Sequence, residues 1–348
     1  MPRSIAFTFQ TFLCLVLIFT SGACKKSSSE SSRLVPAIDE SQLTKHHFAE
    51  PHLGTVVRIV FYSDDEEQAH QLAKQCFDRV KTLNTMLSDY LPVSEVSMLS
   101  KLPIGRPHKV SEELFTIVTL AQTISEKTDG AFDITIGKHS KQWRNKAQES
   151  AEDNQASADY HDLTLNTENR TITLRKPLLI DLGAIGKGFI ADQLMLILKQ
   201  ANIRRAAVII GGETVLADPP PEKEGWNIGI EDPEHQVIGK IVVANTCIST
   251  SGDSYQFFEI DGKRQAHLID PKTKLGKTNR LNVTTIASSS MQADAWATAL
   301  RILPMDQAMK VVNQQPNLEA LFIPFQQEPL PSKHFPKLNN LTKPNKAE

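Results

Sequence analysis

The stretch from Leu178 to Ala191 constrains the folding of this chain more than any other. A short apolar run, Leu178 to Ile180, ends in the carboxylate Asp181. Gly183, Gly186, Lys187 and Gly188 follow, and an apolar pattern with helical spacing then begins. A strand that empties through a glycine-rich turn into a helix start is a common phosphate cradle. Glycines let backbone N–H groups approach an anion, and the helix N-terminus adds partial positive charge. Two nucleotide motifs come near this pattern. A Walker A loop needs Ser or Thr after the lysine, where Gly188 stands, and its first glycine falls at Asp181. Gly186 to Ala191 has the Rossmann spacing G-x-G-x-x-A, with Glu213 after the next strand. That fingerprint starts several residues past the strand end, however, and the chain beyond Gly212 reads as antiparallel.

The rest of the chain supports an α+β fold: mostly antiparallel sheet with helices packed on it. Thr55 to Tyr62 is β-branched and reads as a strand. A helix follows from Asp64, with Leu72, Cys76, Val80, Leu83 and Leu87 on one face. Ser94 to Ser100 is a short helical or turn segment, and Ser111 caps a second long helix that stops before Gly130. Ala131 to Ile136 is a short strand or an extended stretch, Gln148 to Asp159 is loop, and Leu163 to Asn166 with Thr171 to Leu174 forms a hairpin. After the glycine stretch come a helix to Ala201 and a strand from Ala206 to Ile210. Strands follow at Trp226 to Ile230, Lys240 to Ala244, Cys247 to Thr250 and Leu281 to Ala287. Asp261 and Gly262 mark a hairpin turn between Tyr255 and Ile269. Helices from Gln292 and from Asp306 precede a last strand, Glu319 to Ile323.

Composition matters chiefly at the two ends. The formal net charge of −2 over 348 residues leaves no bulk basic field for nucleic acid. Arg3, the apolar run Ile5 to Phe19 and the small residues before Cys24 form a signal segment over residues 1–23. Cys24 has the position of an acylated bacterial lipoprotein cysteine, although Ser21 replaces the usual leucine; plain signal-peptidase cleavage is the alternative. Residues 24–46 read as a lipidated N-terminus and tether, 47–325 as one domain, and 326–348, rich in Pro, Lys and Asn, as a loose tail. Cys76 and Cys247 are either one disulfide or two buried thiols.

Two further constellations carry chemistry. Asp294 and Thr298 are four apart on a helix, so a carboxylate and a hydroxyl share a face, as a hard Mg²⁺ site would need. A Thr298 bond back to the Asp294 carbonyl is the structural alternative. His267, at the end of a hairpin strand, has the chemistry of a general acid or base, of a phosphate contact, or of a structural histidine.

Taken in order, these pieces resemble the ApbE family of FAD:protein FMN transferases from about Leu53 to Val312. Leu53 to Thr55, Leu87 to Tyr90, Ser94 to Ser97, Gly130 to Thr135 with Trp143, and Ile180 to Gly188 carry the first half of the likeness. Gly211 and Gly212, Trp226 to Pro233, Thr250 to Gly252, His267 to Pro271 and Ala293 to Thr298 carry the second. The resemblance implies a single ApbE-like domain that binds FAD as substrate. Leu53, Tyr90, Ala131, Phe132, Asp133, Asp181, Lys187 and Leu268 fall at the family's FAD contacts. Mg²⁺ would be held by Asp294, Thr298 and the Ala184 carbonyl, with His267 as the proton-transfer group and Asp133 behind it. Leu53, Ile210, Glu213 and Ala297 depart from the family pattern.

The activity so implied is Mg²⁺-dependent transfer of FMN to a Ser or Thr hydroxyl of an exported flavoprotein, with release of AMP. The acceptor would be met at the bacterial inner membrane, on its periplasmic face. FAD hydrolysis to FMN and AMP, and flavin binding without turnover by a lipoprotein, are the alternatives.

Overall fold

Val57, Ile59 and Phe61 are fully buried and alternate with residues of the opposite face, a period of two that fixes how their strand sits. The computed structural model describes residues 40–145, 158–252, 257–260 and 263–339. The signal segment, Cys24, the Asp261–Gly262 turn and most of the expected 148–159 loop lie outside them. The strand is β2 (Thr55–Ser63), and it pairs with β1 (Thr44–His52) through the two-residue turn Leu53–Gly54. β1 was not foreseen, because an edge strand rich in His and Lys carries no alternating apolar signal. The expected tether therefore ends in sheet before residue 47.

Asp65 caps α1 (Glu66–Leu87) by accepting from the Gln68 N–H at 2.9 Å, and Ser94 and Ser111 cap α2 (Glu95–Leu99) and α3 (Glu112–Lys127) in the same way. Between these two helices lies β3 (Pro107–Lys109), which completes a small sheet with β4 (Leu163–Asn166) and β5 (Thr171–Leu174). Ala131 to Ile136 forms no ladder. It lies beside Leu178 to Ile180, joined by Asp181 N–H to the Ile134 carbonyl (2.8 Å) and a single parallel bridge, Ile136 to Leu179. An uncapped helix, α4 (Gly137–Arg144), follows; without a cap residue or apolar stripe it left no mark in the sequence.

The glycine stretch opens α5 (Gly186–Gln200), and β6 (Ala206–Ile210) turns at once into β7 (Glu213–Leu216). The hairpin β8 (Trp226–Glu231) and β9 (Val237–Val243) is followed by β10 (Thr246–Ser251), then by a second hairpin, β11 (Phe257–Ile260) and β12 (Lys263–Ala266). The last elements are β13 (Leu281–Ala287), α6 (Ser290–Ile302), α7 (Met305–Gln314), β14 (Glu319–Pro324) and β15 (Leu330–Pro331). The main sheet has the order β1-β2-β6-β7-β10-β13-β14-β15, and each of its strand pairs is antiparallel.

Both faces of this sheet are covered. Val57, Val208, Ile210, Val215, Val283 and Phe322 pack towards the helices. Their neighbours Ala207, Leu216, Ile248, Leu321 and Ile323 pack against Ile230 and Ile241 of the β8–β9 hairpin, and Phe335 and Leu338 complete that second layer. The stretch 326–339 is thus tied down rather than loose: β15 pairs with β14, and Asn339 exchanges backbone bonds with Lys240 at 2.8 and 2.9 Å. Most of its side chains stay exposed, and Phe335 and Leu338 are only half-buried, so no apolar periodicity marks it. Among the described residues no helix is long and apolar enough to cross a membrane.

Candidate active site

Ile210 and Glu213 face each other across the two-residue turn Gly211–Gly212. Gly211 has φ +64, a conformation few side chains tolerate, and a Cβ on Gly212 would stand 2.8 Å from the Thr250 carbonyl oxygen. The tight turn brings Glu213 to the start of β7, buried beside α5, where it accepts from Lys187 Nζ at 2.8 Å. The pairing of Lys187 with Glu213 was not legible in the sequence, since 26 positions separate them.

Gly188 lets α5 and α6 touch. A Cβ there would lie 2.3 Å from the Ser290 carbonyl oxygen and 2.8 Å from the Asp294 Cβ, so only glycine fits the crossing. Asp192, one turn further along α5, accepts from the Ser290 and Met291 N–H groups at 2.8 and 2.9 Å. It thereby caps α6 together with Ser289. This cross-cap places Asp294 over the start of α5, and Gly188 N–H donates to Asp294 Oδ2 at 2.9 Å. Gly186 N–H donates to the Leu182 carbonyl at 2.7 Å. Two of the N–H groups expected to cradle a phosphate are therefore committed within the protein. Helix-start donors must find acceptors, and α6 supplies one.

Glu213, Lys187 and Asp294 form a single cluster. Lys187 Nζ lies 3.9 Å from Asp294 Oδ1, and both carboxylates are almost fully buried. Burial pushes Glu213 up to about 7, against the pull of Lys187 and with the Asp294 charge adding to it. Burial likewise raises Asp294, opposed by Lys187 and the Gly188 N–H. Burial works to lower Lys187, but the two acids outweigh it and hold the ammonium above the usual lysine range. Two carboxylates thus share one cation, and among the described residues Glu213 Oε2 has no hydrogen-bond partner.

A divalent cation suits that imbalance. Asp294, the Thr298 hydroxyl and the Ala184 turn carbonyl are hard oxygen donors of the kind Mg²⁺ accepts. Thr298 is half-buried on the Asp294 helix, four residues on, and Ala184 sits in the turn before α5. No trio of His, Cys, Asp and Glu side chains converges on a metal position among the described residues, so such a site depends on hydroxyl and carbonyl oxygens.

On the other side of Asp181 lies a cleft of about 360 Å³ lined by Asp89, Tyr90, Lys101, Lys141, Arg144 and Leu179, among others. Tyr90 is 70% exposed. The Arg144 guanidinium lies 4.4 Å from the centre of the Tyr90 ring and donates to its hydroxyl at 3.2 Å. Arg144 also pairs with Asp89, and its Nη1 is 3.8 Å from Asp181 Oδ2. Asp181 Oδ1 accepts from Gly183 N–H at 2.8 Å, so this carboxylate braces the glycine turn. Arg144 is the main site residue that sequence reading passed over; a lone arginine after Trp143 carried no motif.

The remaining expected residues are spread around this frame. Leu53 has φ +55 in the β1–β2 turn, whose strand β2 lies beside β6. Ala131, Phe132 and Asp133 are buried. Asp133 Oδ1 accepts from Thr135 N–H and Oγ1, both at 2.8 Å, and Oδ2 accepts from Tyr160 N–H at 3.0 Å. Its carboxylate therefore holds two loops together. His267 is exposed, with Trp143 edge-on at 6.3 Å between ring centres, and Leu268 beside it is half-buried. Cys76 and Cys247 are both free and buried, so they do not form a disulfide.

Comparison with known proteins identifies the family and the fold. A FAD:protein FMN transferase of Klebsiella pneumoniae (strain 342) is 32% identical over 310 residues, 84% of this chain and 88% of its own length. One from Escherichia coli (strain K12) is 30% identical over 279 residues, 76% and 80% of the two chains. The flavin transferase ApbE of Vibrio cholerae superposes with a TM-score of 0.73 at 26% identity, covering 84% of this chain and 98% of that one. The apo form of the Pseudomonas stutzeri flavinyl transferase ApbE shares the fold, with a TM-score of 0.75 at 24% identity over 84% and 95% of the chains. The ApbE family model matches residues 53–322, most of the chain and nearly the span over which the motifs run in order. By sequence and fold alike, the chain belongs to the ApbE family.

Proposed function

We propose that this protein transfers FMN from FAD to a Ser or Thr hydroxyl of an exported flavoprotein, releasing AMP, with Mg²⁺ required. The observation that carries this reading is the pair of buried acids Glu213 and Asp294 sharing the half-buried Lys187 beside the glycine turn, in a family whose named relatives are FAD:protein FMN transferases. In the reaction, the acceptor oxygen bonds to the FMN-side phosphorus. The phosphoanhydride bond breaks, and AMP departs with the bridging oxygen. The acceptor's proton passes to His267, whose exposed imidazole suits exchange with solvent.

The chain's own groups set the geometry. Gly188 N–H fixes one Asp294 oxygen and leaves Oδ1 directed towards Lys187. Lys187, itself steadied by Glu213, supplies positive charge near the pyrophosphate. Asp294, Thr298 and the Ala184 carbonyl would hold Mg²⁺, which when bound neutralises charge on the phosphates. Tyr90, Leu53 and Leu268 offer apolar surface to the flavin nucleotide.

The N-terminal signal and Cys24 support a lipid-anchored protein facing the periplasm, where exported acceptors pass. Mass spectrometry of the membrane fraction checks this: a diacylglyceryl adduct on Cys24 is expected, and an unmodified Cys24 overturns it. For the chemistry, the protein is incubated with FAD, Mg²⁺ and an acceptor domain. An acceptor gaining the mass of FMN with equimolar AMP is the expected result. AMP without the adduct indicates hydrolysis, and neither product indicates flavin binding alone.

A further inference from the structure

Tyr90 stands on an exposed loop, and a tyrosine so exposed would ordinarily sample several rotamers. Here one ring face is covered by the Arg144 guanidinium at 4.4 Å, and the phenol oxygen accepts from the same side chain at 3.2 Å. Arg144 is held in turn from two directions. Asp89 precedes Tyr90 in the chain, and Asp181 opens the glycine turn. Burial and the Asp181 charge raise Asp89, while Arg144, helped by Lys141, opposes both, so the arginine is the nearest cation between two acids. One side chain at the end of α4 therefore joins two remote segments, residues 89–90 and the Asp181 turn, around a single cleft.

We infer that Arg144 is a positioning residue for the nucleotide substrate: it fixes Tyr90 with one ring face open to an aromatic base and locks that platform to the Asp181 turn. The inference rests on the reading of Tyr90 as a FAD contact. A cation behind the ring also polarises it, and a planar guanidinium with several donors does what a lysine cannot do at the same place. The platform is built before ligand arrives, so its rotamer freedom is not lost on binding.

The test is a double-mutant cycle on the full chain, with FAD affinity read from quenching of flavin fluorescence. Arg144→Ala is expected to weaken FAD binding about tenfold, the size of one partly desolvated cation–π and hydrogen-bond contact. In a Tyr90→Ala background the same change is expected to have little further effect, because Arg144 acts through the ring. Arg144→Lys is expected to fall between, and in steady state KM is expected to rise more than kcat falls. A full tenfold loss that persists without Tyr90, or wild-type affinity in Arg144→Ala, overturns the inference. If Arg144→Ala does not fold, as judged by a thermal melt, Arg144→Lys in both backgrounds decides the point in the same way. Wild-type protein that binds no FAD would remove the function reading and this inference with it, whereas wild-type binding with an unaltered Arg144 variant removes this inference alone.

Discussion

Gly188 donates its backbone N–H to Asp294 Oδ2 at 2.9 Å, so the anion at the N-terminus of α5 is an aspartate of the chain itself. A helix start attracts negative charge whatever its source. The glycine stretch is thus as much a helix-crossing device as a ligand loop, and it delivers Asp294 to the place where Lys187 and Glu213 meet.

Gly188→Ala tests the crossing. The added methyl would meet the Ser290 carbonyl at 2.3 Å, backbone that cannot move without shifting α6. A loss of about 3 kcal/mol in urea unfolding is expected, the upper range for overpacking, with AMP release lost as Asp294 is displaced. A wild-type unfolding midpoint would refute the crossing as described.

Asp294→Asn tests the metal assignment without turnover. Mg²⁺ binding to the folded state raises the melting temperature of the wild type by mass action. The shift is expected to disappear in Asp294→Asn and to shrink in Thr298→Ala. If both variants keep the full Mg²⁺ shift, the cation binds elsewhere.

Lys187→Met leaves two buried carboxylates without their shared cation. Removing one partner of a fully buried pair costs about 3–5 kcal/mol; Lys187 is only half-buried, so solvent screens part of this and chemical denaturation is expected to register a loss no greater than about 3 kcal/mol. Glu213→Gln is expected to cost less, because the amide can still accept from Lys187 at the same position and one buried charge is removed. Equal stabilities for all three proteins would show the cluster to be inert.

Asp133 makes a pH prediction. Burial raises its pKa above the usual carboxylate range, outweighing the hydrogen bonds from Thr135 and Tyr160 that favour the charged form. A raised folded pKa means that the folded state binds the proton more tightly than the unfolded chain does. The associated stability is full below the ordinary aspartate value and is lost as pH rises through the folded value. The stability of the wild type relative to the non-titrating Asp133→Asn is therefore expected to fall with rising pH across this window. Urea midpoints that diverge in the opposite sense would contradict it.

Cys76 and Cys247 are buried thiols, and burial pushes each up to about 12. Thiolate is scarce at neutral pH, so alkylation of these two positions in the native protein is expected to be slow and to become fast in urea. Rapid native labelling at either position, mapped by mass spectrometry, would place that cysteine at the surface.

Much of this fold was legible because its signals are local. The β-branched runs at Thr55 and Leu281 and the cap Ser111 each state their structure within a few residues. The elements that escaped notice lack such signals. β1 is a polar edge strand, only two residues separate β7 from β6, and α4 has neither cap nor apolar stripe. The proline-rich segment after Gln326 read as tail because its burial comes from the β8–β9 layer, which no local pattern announces.

The candidate site divides in the same way. The sequence by itself determined the glycine turn, the family, and the residue types at Asp181, Lys187, His267, Asp294 and Thr298, since spacing and order are properties of the chain. Only the tertiary structure decided their partners. It paired Lys187 with Glu213 rather than leaving it free, turned Gly188 N–H onto Asp294, and set Arg144 between Tyr90 and Asp181. The reason is physical: a buried charge or helix-start donor must be satisfied by whatever the packing brings within about 3 Å, and that neighbour is usually remote in sequence.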